Sequence, residues 1–184
     1  MSALATFYAG IFGPVERIGT RLLPLGARFV FAATLLSYYW HSAATKLGDG
    51  TLGPAMGAYA QVFPRQFEAV GYDATRLSDF HWLAVVAGTW AEFALPALIV
   101  LGLATRLAAL GMVGFVLLQS LTDIFGHGMT DAATLGAWFD RFPGSVIMDQ
   151  RLFWVFILSV LAIRGAGALS LDAVLRRRTA SVPA

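Results

Sequence analysis

Residues 83–118, LAVVAGTWAEFALPALIVLGLATRLAALGMVGFVLL, hold two long apolar runs separated only by Ala-Thr-Arg. Crossing the hydrocarbon core takes about 20 apolar residues per helix. The stretch therefore predicts two membrane-crossing helices folded back on each other. Glu92 lies near the middle of the first, and Arg106 marks the turn. A carboxylate at that depth has to face the protein interior, because lipid offers it no partner.

The rest of the chain agrees with this environment. Only 13% of its 184 residues are charged and 58% are hydrophobic, against about 25% charged in a soluble domain. There is no room for a second, soluble domain. The net charge of +2 comes with no basic patch of the kind that binds nucleic acid, and there is no cysteine. The lack of cysteine excludes disulfides, thiolate catalysis and Cys-ligated zinc or iron–sulfur centres. The apolar N-terminal run has neither a basic region before it nor a clear cleavage site after it, so it does not read as a cleaved signal.

Taken in order, residues 1–21 place Phe7, Ile11, Val15 and Ile18 at helical spacing, which fits a short helix lying on the membrane or a frayed tail. Four spans follow, at about 24–45, 80–102, 105–126 and 148–164. In the first, Thr34, Ser37, His41 and Thr45 form one polar stripe that is expected to face the bundle. Residues 48–79 are rich in glycine and proline, and carry one short amphipathic helix near Tyr59–Val70 as a cap over the bundle mouth. In the second span Pro96 lies four residues after Glu92 and removes the hydrogen bond to the Glu92 carbonyl. Thr20-Arg-Leu and Thr105-Arg-Leu, with Leu-Gly at the same offset after each, give a weak internal repeat. The terminal SLDAVLRRR reads as a short amphipathic surface helix. Arg17, Arg21, Arg106 and Arg176–Arg178 gather on one side and most acids on the other. The positive-inside rule then puts both termini in the cytoplasm and the two long loops outside.

Three groups of polar residues are candidates for chemistry. Arg28, about 6–9 Å deep, and Glu92, about 15 Å deep at 1.5 Å of rise per residue, form the first, read as a buried ion pair in which the long arginine side chain covers the difference. It either locks two helices together or presents a proton- or quinol-linked carboxylate. His41, His81 and His127, with Asp123, form the second. All sit at outer helix ends, where imidazoles and carboxylates suit zinc or copper(II) and two imidazoles suit haem. No short ligand motif such as H-x-x-x-H is present, so hydrogen bonding at the interface is the competing reading. Gln119 and Asp123, with His127 on the same face, form the third. They either line a small polar cavity for a quinone head group or a metal, or glue helices together.

The stretch AEFALPALIVLGLATRLAALG, with RGAGALSLDAVL near the end, resembles the DoxX family of small bacterial membrane proteins. The shared pattern is a glutamate in the second helix, an L-G-L-x-T-R turn, and a C-terminal G-x-G-x-x-S-L-D. Here these are Glu92, Leu101 to Arg106, and Gly165 to Asp172. Arg28 matches an arginine of the family's first helix. His41 to Lys46 matches its His-Gly-x-x-Lys element in part, with Ser42 in place of glycine and one extra residue. The resemblance covers roughly residues 20–175. It implies association with quinone-linked oxidoreductases or with thiol and oxidative-stress complexes, and the A-E-F-A-L-P element is similar to members encoded beside copper-binding peptides.

The expected fold is all-α, a four-helix transmembrane bundle with short amphipathic interfacial helices. The expected role is an accessory subunit of a redox-linked or metal-handling system at the outer face of a bacterial inner membrane, with protein partners and the lipid bilayer around it. Quinone, copper, zinc and haem are the cofactor candidates. A small-solute or metal-ion transporter or channel component, working as a homo-oligomer, is the alternative. No nucleophile constellation, phosphate loop or cofactor fingerprint marks a complete enzyme.

Overall fold

Helix α1 (Ala3–Phe31) continues through a π-helical turn (Ala32–Leu36) into α2 (Ser37–Lys46). In the computed structural model, which describes residues 3–180, these form one long rod. Two short helices, α3 (Met56–Val62) and α4 (Pro64–Ala69), cross the end of the bundle. The membrane-length helices α5 (Asp79–Leu101), α6 (Thr105–Leu121) and α7 (Arg151–Arg164) follow, and α8 (Leu171–Ala180) ends the described chain. The four segments Ala5–Lys46, Asp79–Leu101, Thr105–Gly126 and Val146–Arg164 are long and apolar enough to cross a membrane. No strand occurs among the described residues; one isolated bridge joins Leu47 and Pro54. The fold is a four-helix membrane bundle.

Contacts run around a ring, with α2 on α5, α5 on α6, α6 on α7 and α7 on α1. Phe31, Leu35, Tyr39, Ile99, Met112, Val116, Leu158 and Leu161 fill the centre and are essentially inaccessible. The inward face of the first rod is thus Arg28, Phe31, Leu35, Tyr39, Ala43 and Lys46. This corrects the expected polar stripe: Thr34, Ser37, His41 and Thr45 are all exposed. Thr34 donates to the Val30 carbonyl at 2.7 Å and Thr45 to the Ser42 carbonyl at 2.7 Å. Hydroxyls that bond their own helix backbone need no partner from another helix.

Residues 3–21 are also corrected. They are not a separate short helix but the first turns of α1, which runs unbroken through Pro14 and Pro24. Each proline removes only one backbone hydrogen bond, and neighbouring turns carry the helix past it. Residues 1 and 2 lie outside the described residues.

One end of the bundle is locked by polar contacts. The last carbonyls of any helix have no partner within it. Arg28 Nε donates to Ile99 O at 3.1 Å, and Nη2 donates to Val100 O. Its Nη1 donates to Ala166 O at 3.1 Å and to Leu169 O. One buried guanidinium thereby ties α1 to the end of α5 and to the segment before α8. Gly102 turns the chain in the left-handed region at φ 69°, and a Cβ there would lie 2.5 Å from Ser170 Cβ and 3.0 Å from Arg28 Cζ. Glycine is required at this position by conformation and by space.

Asp172 completes the lock. Helix α6 has no capping side chain of its own. Asp172 Oδ1 accepts the Ala104 amide at 2.8 Å, and Oδ2 accepts the Thr105 amide at 3.1 Å. The Asp172 amide donates to Gly102 O at 2.8 Å. Burial works to raise the Asp172 carboxyl, but the amides of Thr105 and Ala104 outweigh it and hold the group below the usual aspartate range.

Replacing Asp172 with alanine is expected to cost about 1 kcal/mol, as for other lost helix caps, read as a lower unfolding temperature in detergent. A carboxyl held low by folding stabilises the fold fully above its unfolded value and loses that contribution as pH falls through the folded value. Hydrogen-exchange protection of the Ala104 and Thr105 amides should therefore drop in the acid window below about pH 4, as the carboxyl takes up its proton. Unchanged protection in the parent across that window would show that Asp172 is not the cap.

Candidate functional site

The opposite half of the bundle holds a cavity of about 520 Å³, among α2, α5 and α6 and beneath the α3–α4 crossing. Its polar lining comes from Tyr38, Ser42 and Lys46 on the first rod, Thr89 and Glu92 on α5, and Gln119, Thr122 and Asp123 at the end of α6. Phe63, Phe80, Phe115 and Leu118 supply much of the apolar wall, and Gln61 and His127 stand at the roof.

Lys46 and Glu92 form the buried ion pair of this cavity, with Nζ–Oε2 at 2.8 Å and side chains only 8% and 5% exposed. The ammonium donates to both Glu92 oxygens and to Ser42 Oγ at 2.7 Å. Ser42 Oγ in turn donates to Glu92 Oε1 at 3.1 Å. The network satisfies both charges, as burial demands. It also overturns the expected Arg28–Glu92 pair. Arg28 bonds the carbonyls of Ile99 and Val100, seven and eight residues from Glu92, about 10 Å of helix rise away. Free helix-end carbonyls attract a cation as a carboxylate does, and depth counting alone could not separate the two.

A second ion pair sits on the far wall. Arg151 Nη2 bonds Asp123 Oδ2, and Nη1 donates to Ser120 Oγ at 3.0 Å. Asp123 lies in a π-helical turn (Thr122–Gly126) that continues α6. Gln119 Nε2 donates to Tyr38 Oη at 2.8 Å across the bundle. Gln119 and Asp123 thus both line the cavity, each with one side held by a neighbour.

The histidines do not converge. His41 is exposed on α2. His81 Nδ1 is 2.8 Å from Ser78 Oγ, and its ring stands edge-on to Phe63 at 4.7 Å. His127 Nε2 lies 3.1 Å from Gln61 O. Among the described residues no three His, Asp or Glu side chains are grouped to hold a metal ion. The expected set of His41, His81, His127 and Asp123 is therefore not assembled: Asp123 is taken by Arg151, and two of the imidazoles fasten the roof.

That roof is two helices rather than one. Pro64 sits in the first turn of α4 and starts it anew after Phe63. Ala58, Tyr59 and Phe67 bury against Val85 of α5 in a small core of their own. Phe67 is inside and Phe63 half-buried, while Tyr72 is exposed.

The family model for DoxX matches residues 23–122, more than half of the chain. The chain belongs to the DoxX family. No curated protein and no solved structure matches it. In this DoxX-family chain the matched residues take in Arg28, Lys46, Glu92 and the Leu101–Arg106 turn, and their geometry divides into two parts. Arg28, Gly102 and Thr105, with the Gly165–Asp172 segment beyond the match, build the locked end. Lys46 and Glu92 build the cavity floor. Sequence reasoning missed Lys46, Ser42 and Arg151 as site residues. The partial His-Gly-x-x-Lys match pointed to Lys46; nothing comparable pointed to Arg151.

Lys46→Met alone should strand a buried carboxylate and cost about 3–5 kcal/mol, whereas Lys46→Met with Glu92→Met should fall within about 1 kcal/mol of the parent or exceed it. Thermal or denaturant unfolding in detergent would read both. Equal losses in the single and double variants would mean the two groups are not coupled.

Proposed function

We propose that this DoxX-family membrane protein is an accessory subunit of a redox-linked system, and that its cavity seats the polar head of a quinone-class molecule. The Lys46–Glu92–Ser42 network at the floor of an aromatic- and aliphatic-walled cavity is the observation that carries the reading. Such a mixture of apolar wall and few convergent polar groups is typical of small-molecule sites. A quinone presents carbonyl acceptors and a quinol presents hydroxyl donors. A carboxylate, an ammonium and a hydroxyl side by side can serve either form, and Glu92 is the group able to take a proton from the reduced one. Both carboxylates that line the cavity are already paired with cations, which favours a neutral head over a metal cation or an anion.

The orientation that goes with this reading puts both termini in the cytoplasm of a bacterial inner membrane and the cavity toward the outer face. Arg17, Arg21, Arg106 and Arg176–Arg178 support it by their position near the locked end. Partner proteins would supply the electron donor. A transporter or channel is less well supported, because Tyr39, Ile99, Met112 and Val116 pack solidly beside and below the cavity.

Titration of a short-chain benzoquinone into the purified protein in lipid nanodiscs should give saturable, one-to-one binding. The Lys46→Met, Glu92→Met double variant should bind at least about tenfold more weakly, a loss of about 1.4 kcal/mol. Absence of saturable binding to the parent, or equal binding by the double variant, would defeat the proposal.

A further inference from the structure

The cavity is roofed by α3 and α4 at one end of the bundle, and its lining on α5 and α6 is mostly apolar. Its roof is fastened on both flanks. On the α5 side, Phe63 packs on Phe80 at 6.2 Å and on His81, and the Tyr59–Phe67 core presses on Val85. On the α6 side, His127 reaches Gln61 O, and Pro64 lies so near Gly126 that a Cβ there would meet its Cγ at 3.0 Å. Between α5 and α6 the arrangement is different. The two helices touch where Gly111 faces Leu95, with a Cβ–Cδ separation of 3.1 Å if Gly111 carried a side chain. Toward the roof both helices contribute to the cavity lining. Phe80, Ala84 and Gly88 recur every four residues along α5, facing Phe115, Leu118 and Thr122 on α6. Phe80 is 66% exposed and Leu118 65% exposed, so each helix carries an outward-exposed apolar residue within the cavity lining. A Cβ built on Gly88 would meet nothing within 4 Å.

We infer that the cavity is entered sideways from the bilayer through the slot between α5 and α6, and that its ligand is an amphiphile with a compact neutral head and a single apolar tail left lying in that slot. The inference rests on the quinone reading above and adds the route and the tail. The polar groups sit inward of the slot: Glu92 is one helical turn from Gly88, and Gln119 adjoins Leu118. The slot walls carry no charge. A head reaching Lys46 and Glu92 would leave its chain against Ala84, Gly88 and Leu118, in surroundings as apolar as the lipid it came from. A water-borne polar solute would have to part the roof instead.

The test is photolabelling in nanodiscs with a dimethoxy-methyl-benzoquinone whose decyl chain ends in a diazirine. An excess of the same ring without a chain serves as competitor. Labelling that the competitor removes, mapped to residues 80–88 and 115–122, is the expected result. Competable labelling at residues 61–63 or at His127 would overturn the slot while leaving the quinone reading intact. Absence of any competable labelling would defeat that reading and the slot with it. Gly88→Phe should cut competable labelling at least tenfold, while Gly10→Phe, at an equally open position near the start of α1 that is not part of the cavity lining, should leave it within twofold. Thermal unfolding of both variants checks that they fold. Equal labelling of the two folded variants would also overturn the slot.

Discussion

Four backbone carbonyls from two separate segments converge on the Arg28 guanidinium, and the rest of the bundle is arranged from that point. In a bilayer the chain cannot leave helix-end carbonyls to water, nor leave an arginine without acceptors. Each requirement answers the other. The same contact fixes where α5 stops, where the Gly165–Asp172 segment lies and how deep the first rod sits. Asp172 then reaches the exposed amides at the start of α6, so α1, α5, α6 and α8 are joined by polar contacts at one end. A neutral residue at position 28 would lose all four of these hydrogen bonds at once.

With one end fixed in this way, the other can stay open. The core residues Ile99, Ala108, Met112 and Leu158 belong to the part near the lock and the middle of the bundle, where helices approach closely enough for Gly111 to touch Leu95. Beyond them the helices are held apart by side-chain pairs that cost desolvation, Lys46 with Glu92 and Arg151 with Asp123. Apolar residues of similar volume would pack such a bundle at least as stably. Stability alone therefore does not account for two ion pairs on opposite walls of one cavity. The proposed quinone-class site, which would offer both donors and acceptors to an uncharged head group, would account for them.

The helical architecture was legible because membrane spans declare themselves in one dimension: a run of about 20 apolar residues has few alternatives. The Leu101–Arg106 turn, the carboxylate in the second span and the polar end of α6 could be read for the same reason. What could not be read was which face of each helix turns inward. Thr34, Ser37, His41 and Thr45 look like an interior stripe on paper, yet the π-helical turn at Ala32–Leu36 shifts the register, and the inward row is Leu35, Tyr39, Ala43 and Lys46. Nor does sequence spacing distinguish an arginine that wants a carboxylate from one that wants helix-end carbonyls. The partner of Glu92 was legible only through a family element that this chain matches with one residue too many.

The extra residue has a physical consequence of its own. In a strict helix an insertion turns every later side chain by about 100° and would carry Lys46 away from Glu92. The π turn at Ala32–Leu36, earlier in the same rod, adds one residue without adding a full turn, and Lys46 meets Glu92 beyond it. Similar π turns precede Arg151 and contain Asp123. Both buried ion pairs thus depend on places where the helix departs from its regular pitch. The widened turns lie in the rod that carries Lys46, at Asp123 and directly before Arg151, the residues that form the two ion pairs. The charged walls of the cavity and the irregular turns are in this sense one feature of the fold.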